Sequence, residues 1–156
     1  VFEGEVEFID VSNSTKSSAL SVHKNALSHF HAIILHTNKP EETIARYCWL
    51  TNQSSPRRIF GSSWKVGLDQ QTIIVCSEED VERIVPSVNV SNLPSILGYA
   101  LLTESLPKTK DCFSHNELAL QSLNRGSFLV KLPEFISGNL IIGTSAADFP
   151  WNGGFN

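Results

Sequence analysis

Apolar and polar positions alternate most clearly late in the chain, between Arg125 and Gly143. Phe128, Val130 and Leu132 fall on one face of an extended run while Ser127 and Lys131 fall on the other, the period-2 pattern of a half-buried strand. Leu140 to Ile142 is apolar on both faces, which predicts a strand interior to a sheet. Pro133 ends the first run, and Ser137-Gly138-Asn139 supplies turn residues before the second.

Read from the start, the chain repeats this grammar of short strands and turns. Val1 to Val11 sets Phe2, Val6 and Phe8 against Glu3, Glu5 and Glu7, an edge strand whose acids discourage unwanted pairing. Ser12 to Lys24 is a polar loop. Ser28 to His36 is β-branched and aromatic enough for a central strand, with His29 and His31 on one face and His36 on the other. Asn38-Lys-Pro-Glu-Glu signals a helix start. Ile44, Tyr47 and Cys48 continue it at helical spacing, although Tyr47 to Thr51 also fits a strand.

Arg58 to Leu68, broken by Gly61 and Gly67, and Gln71 to Cys76 read as strands, the last two segments joined by a tight turn at Asp69-Gln70. Ser77-Glu-Glu-Asp80 opens a short helix that buries Val81, Ile84 and Val85 and stops at Pro86. Ser95 to Thr103 is apolar and fits strand or helix, Gly98 weakening the helix. Ser114 to Glu117 has the form of a capping box opening a helix through Leu118 and Leu123 that Gly126 terminates. The turn-rich tail after Gly143 carries aromatics able to dock on the body.

Six to eight short strands, two or three brief helices and no visible repeat predict a mainly β fold. The expected architecture is an antiparallel β-sandwich or jelly roll with short helices in its connections, not alternating βαβ units. At 156 residues, residues 1–156 are expected to form a single domain.

Composition narrows function by exclusion. Charged residues make up 18% and the net charge is −4, with Arg57-Arg58 the one adjacent basic pair, so electrostatics gives no support for strong direct nucleic-acid binding. The longest nearly unbroken apolar run, Ile96 to Leu102, is too short to span a bilayer. No methionine is present, position 1 included, and the expectation is that Val1 arises by processing or excision. Cys48, Cys76 and Cys112 match no zinc-binding spacing and read as buried or semi-buried thiols acting as small apolar residues, with one disulfide plus a free thiol as the alternative.

Candidate chemistry is sparse. His29-x-His31 would project two imidazoles from one strand face, the best metal candidate in the chain, but no carboxylate or later His completes a ligand set. Gly143-Thr-Ser145 lacks the downstream acid and His of a nucleophile elbow, and Ser21/Lys24 and Ser62/Lys65 lack the partner motifs of acyl-transfer enzymes. Cys112-x-x-His115 falls inside the proposed capping box. No catalytic residue, metal site or cofactor is therefore expected. Asn13, Asn52 and Asn89 stand in acceptor sequons, which matter only if the chain is extracellular.

The run Phe128-Leu-Val-Lys-Leu-Pro-Glu-Phe135, followed by Gly138 to Ile142 and Phe149-Pro150, resembles the late strands of coat proteins from plant picorna-like viruses of the comovirus and nepovirus type. The resemblance covers about 25 residues. It implies an eight-stranded jelly roll that self-associates or joins other coat subunits in a virion, with genomic RNA reached through the assembled inner surface, no membrane and no enzymatic activity. Two alternatives stand beside it: an extracellular recognition module stacking Trp49, Trp64 or Trp151 on carbohydrate or protein, and a small metal-dependent enzyme built on His29 and His31.

Overall fold

The computed structural model describes residues 24–53, 55–88, 93–133 and 138–152. The strand expected over residues 1–11 and the sequons at Asn13 and Asn89 lie outside that range. The described chain runs β1 (Leu27–His36), α1 (Pro40–Leu50), β2 (Arg57–Phe60), β3 (Ser63–Leu68), β4 (Gln71–Cys76), α2 (Val81–Ile84), β5 (Ser95–Thr103), α3 (Leu106–His115), β6 (Leu120–Ser122), β7 (Phe128–Lys131) and β8 (Asn139–Gly143). All eight strands join one sheet in the order β2-β3-β4-β1-β5-β8-β7-β6.

That order is symmetric about its centre. β1, α1 and the meander β2-β3-β4 form one βαβββ module, and β5, α3 and β6-β7-β8 form a second. β1 pairs parallel with β4, β5 pairs parallel with β8, and the two first strands meet antiparallel in the middle. Ile33 faces Tyr99 across that seam. Each module also carries a threonine pair from strand end to helix: Thr37 with Thr43 at 3.4 Å, and Thr103 with Thr109 at 2.6 Å. Thr37, Thr43 and Ile33 each precede their counterparts by the same 66 residues (37 to 103, 43 to 109, 33 to 99).

The mainly β character with few helices holds, but the sheet is mixed and single, so it is not the antiparallel sandwich or jelly roll expected. The parallel pairs arise because each connection is long enough to carry a helix and two hairpin strands before returning beside its first strand. The repeat escaped notice because it is one of topology, with few matching side chains.

Local chemistry explains the elements. Pro40 occupies the first turn of α1, where its fixed φ is helical and its missing N–H goes unneeded, and Glu41 and Glu42 complement the dipole. α3 begins at Ser105, whose Oγ accepts from the Lys108 amide at 3.4 Å, and has Pro107 in its first turn. This displaces the helix expected after Ser114: that segment ends α3, and Leu120 to Ser122 is strand. Gly98 fits because the Asn139 backbone oxygen lies against its Cα, leaving no room for a Cβ.

Both helices pack on one sheet face. Ile44 of α1 lies on Leu35, Val66, Ile73 and Val75, while Leu106 and Phe113 of α3 lie on Phe128, Val130 and Ile142. The alternate residues Ala32, Ile34, Ile74, Cys76, Ala100, Leu129 and Ile141 line the opposite face. β7 is thus buried on both faces, where sequence predicted one, because the tail covers the second.

Candidate functional site

The sheet face opposite α1 and α3 draws residues from both modules. Two segments of the chain cover it: the turn and helix Glu78 to Val85, contributing Val81, Ile84 and Val85, and the tail, contributing Phe149 and Trp151.

The tail side carries the chemistry. A β-bulge between Phe30 and Ala32 breaks the strict alternation of β1, so adjacent residues His31 and Ala32 both reach the same aromatic cluster. The Phe149 ring stacks on the His31 imidazole at 5.0 Å and 13°, and on Trp151 at 5.1 Å and 8°. Lys65 projects to this face, since Trp64 and Val66 beside it belong to the helix-side core. Its Nζ donates to the Trp151 carbonyl at 3.4 Å and to Asn152 Oδ1 at 2.5 Å.

Two polar atoms in the stack have no partner although both are buried: His31 Nε2 and Trp151 Nε1. Burial lowers the His31 pKa, the Lys65 charge lowers it further, and a hydrogen bond to the Gln70 backbone opposes both. With Nε2 unpartnered, that bond belongs to Nδ1–H, leaving Nε2 as a bare acceptor. Lys65 is likewise held below the usual lysine range, by burial first and by Arg57 second. The face therefore offers one acceptor, one cation and a stack of flat rings within an apolar surround.

The tail reaches this position through a polar hinge. Asp148 Oδ2 accepts from the Thr144 amide and hydroxyl, each at 2.8 Å, and from the Ser145 amide at 2.9 Å; the Ser145 hydroxyl bonds Oδ1 at 3.2 Å. Burial pulls the Asp148 pKa up, but these bonds hold it below the usual carboxylate value. Asn152 Nδ2 closes the turn on the Ala146 carbonyl at 2.8 Å.

The other cover is braced by a buried carboxylate. Asp80 Oδ2 accepts from the Ser62 amide at 3.0 Å and from the Ser63 and Ser77 hydroxyls, each at 2.8 Å. Gly61, at φ +48°, makes room for it: a Cβ there would collide with the carboxylate. Three donors of the fold converge on Oδ2, and the Arg83 guanidinium lies 3.9 Å from Oδ1, so Asp80 serves as a brace.

The residues singled out by sequence are scattered. His31 belongs to the site, but His29 is exposed and His36 lies buried at the far end of β1. His36 borders a cavity of about 10 Å³ with Thr37, Thr43 and Ser95, room for about one water. Neither its ring nitrogens nor the Ser95 hydroxyl has a partner, and burial lowers its pKa while Glu78 opposes. Among the described residues no three His, Cys, Asp or Glu side chains could together hold a metal ion.

The remaining motifs dissolve in the same way. His115 Nδ1 lies 2.7 Å from the Asp111 carbonyl oxygen, the Ser62 amide serves Asp80, and Ser145 serves Asp148. All three cysteines are free. Trp49 is 80% exposed, Trp64 lies under the Arg58 guanidinium at 5.5 Å, and Trp151 is buried. Sequence reasoning expected the tail to dock but missed Lys65 as its partner; the signal available was the placement of Lys65 two residues from Ser63 on the apolar side of an alternating strand.

No family model matches this chain, and no curated protein matches it. Among solved structures, methylmalonyl-CoA epimerase from Mycobacterium tuberculosis superposes with a TM-score of 0.54 at 7% identity, over 75% of this chain and 87% of its own. Two integron cassette proteins, from the mobile metagenomes of V. cholerae and V. pseudocholerae, align over 74% of this chain at 10% identity and a TM-score of 0.28. The first likeness establishes a fold shared with that epimerase, and nothing beyond the fold.

This overturns the expected coat-protein function, and with it the virion and capsid assignments: the chain has the paired-module sheet of the epimerase, not a jelly roll. The 25-residue resemblance reflected the sequence of one buried hairpin, which any sheet protein can share. A metal held by His29 and His31 does not fit the described residues, which bring no third ligand to that pair. The site's one imidazole is stacked between its strand and Phe149, and its nearest charged neighbour is a cation.

Proposed function

We propose that this chain is a non-enzymatic small-molecule-binding domain whose site is the sheet face around His31 and Lys65. The observation that carries the reading is the buried, unpartnered His31 Nε2 beside a lysine that spends its charge on two uncharged oxygens of the tail. A buried polar atom without a partner costs about 1–3 kcal/mol, a cost that folding alone does not require. An apolar surround with a few convergent polar groups is the general form of a small-ligand site.

A non-catalytic reading follows from what those groups lack. Among the described residues the acids nearby are tied up in the fold: Asp80 Oδ2 takes three donors and Asp148 four, and the Lys65 ammonium is bonded to two tail oxygens.

The test is a ligand screen read at the site itself. With imidazole nitrogens labelled, a fragment library is titrated and the His31 Nε2 resonance is followed, with Lys65→Met as the control. Binding fragments are expected to move that resonance and to lose affinity at least about tenfold in the control, the scale of a charged hydrogen bond. Fragments that bind without moving His31, or equally well in Lys65→Met, would place the ligand elsewhere and end this reading.

A further inference from the structure

The way the tail fills the site describes the ligand that would replace it. Phe149 presents its flat ring to the His31 imidazole with Trp151 stacked behind it, and beside these rings the Trp151 carbonyl and Asn152 Oδ1 present two oxygens to the Lys65 ammonium. Two oxygens converging on one cation, fixed to a stacked ring, have the layout of an aromatic carboxylate. Both tail oxygens are uncharged, so a carboxylate at the same place would strengthen the contact by making it charge-assisted on both sides.

The anchorage of the tail differs on its two sides. Its rings are buried, Phe149 wholly and Trp151 to 97% (3% exposed), but the bonds that fix its ends, at Asp148 and Asn152, are exposed to water. Exposed polar bonds contribute little net stability, so Phe149 to Asn152 is held over the sheet face chiefly by the burial of its two rings, which a ligand ring can replace.

Resting on the site assigned above, we propose that Phe149 to Asn152 is an internal pseudo-ligand, and that the compound displacing it is a planar aromatic carboxylate. A ligand that must first displace the tail binds with an apparent affinity reduced by the fraction of chains already open. Weakening the tail therefore tightens binding without adding a contact.

The probe is 2-naphthoate, with 2-naphthamide as its uncharged counterpart, measured by calorimetry on the wild-type chain, Trp151→Ala and Asn152→Ala. We expect Trp151→Ala to bind 2-naphthoate at least about tenfold more tightly than wild type and Asn152→Ala a few-fold more tightly, 2-naphthamide to bind at least about tenfold more weakly than the acid, and Lys65→Met to remove the difference between the two. Asn152→Ala removes two exposed bonds, from Lys65 and to the Ala146 carbonyl, leaves the buried rings in place, and serves if Trp151→Ala does not fold. Equal affinities in wild type and both tail variants, with His31 still responding, would overturn the pseudo-ligand while leaving the site intact. Tightening that ignores Lys65 and leaves the His31 resonance unmoved would overturn the site itself.

Discussion

Phe149→Ala tests whether the tail is part of the core or merely lies on it. The ring is fully buried and sandwiched between His31 and Trp151, against Ala32, Ile34, Ala100 and Ile141 of the sheet cluster. Truncating a buried Phe to Ala costs about 3–5 kcal/mol, from lost transfer energy and the cavity left behind. Two ring stacks are lost as well, each about 0.5–1.5 kcal/mol at most, partly counted in that range. The expected loss is about 4 kcal/mol, which for a chain of this size lowers Tm by about 8–16 °C. Urea unfolding followed by far-ultraviolet circular dichroism measures it, with Trp49→Ala, on an 80% exposed side chain, as the control expected within about 0.5 kcal/mol of wild type. A loss below about 1.5 kcal/mol for Phe149→Ala would show that the tail does not complete the core, and the account of the site as covered by it would fail.

Other outcomes follow from the same structure. Thr109→Val should cost about 1–3 kcal/mol in urea unfolding, because Thr109 Oγ1 meets Thr103 Oγ1, the Asn25 carbonyl and the Ser105 carbonyl within 2.9 Å; a neutral change would deny the threonine latch. Gly98→Ala should destabilise by several kcal/mol, since its Cβ would overlap the Asn139 backbone oxygen; a native-like melting curve would contradict the β5–β8 register. Burial pushes the Cys76 thiol up to about 12, against a Ser63 hydrogen bond that lowers it and with Asp80 adding to the rise, so a disulfide reagent at pH 8 should modify the half-buried Cys48 and Cys112 first and reach Cys76 only on unfolding. His31 and His36 both titrate below 6.5 in the fold, so the unfolded chain binds protons first as pH falls. Stability should be fully present above about pH 7 and decline as pH drops below 6.5 toward the lowered values, and His31→Gln should flatten that slope; a urea midpoint that rises on acidification through this range would reverse the sign.

How much was legible in the sequence depended on whether a feature was local. Gln71 to Cys76 and Leu140 to Ile142 announced themselves as strands through compact apolar runs, and Ser28 to His36 through its β-branched and aromatic content. Pro40 and the acids after it marked α1, and the Asp69-Gln70 hairpin turn was where alternation predicted it. What failed was order in space. The parallel pairing of β1 with β4 is carried by contacts some 40 residues apart (Ala32 with Thr72), which no local pattern encodes. The helix expected after Ser114 failed because a capping-box spacing also fits the frayed end of α3, where Asn116 Nδ2 bonds the Cys112 carbonyl instead. The repeat was present in one legible form, Thr37 and Thr43 recurring as Thr103 and Thr109, but two threonines are too few to stand out.

The site was half visible for the same reason. His31 drew notice for its pairing with His29, yet the bulge after Phe30 decides its surroundings, and a bulge has no reliable sequence signal in a run of ordinary residues. Lys65 acquired meaning only when the tail was found against it.

The most direct test of the account is a crystal structure of the Trp151→Ala chain with 2-naphthoate. The account predicts the naphthalene ring stacked on His31 and the carboxylate on Lys65 Nζ, with Phe149 to Asn152 displaced. Naphthoate bound away from both residues, with Phe149 still seated on His31, would contradict it.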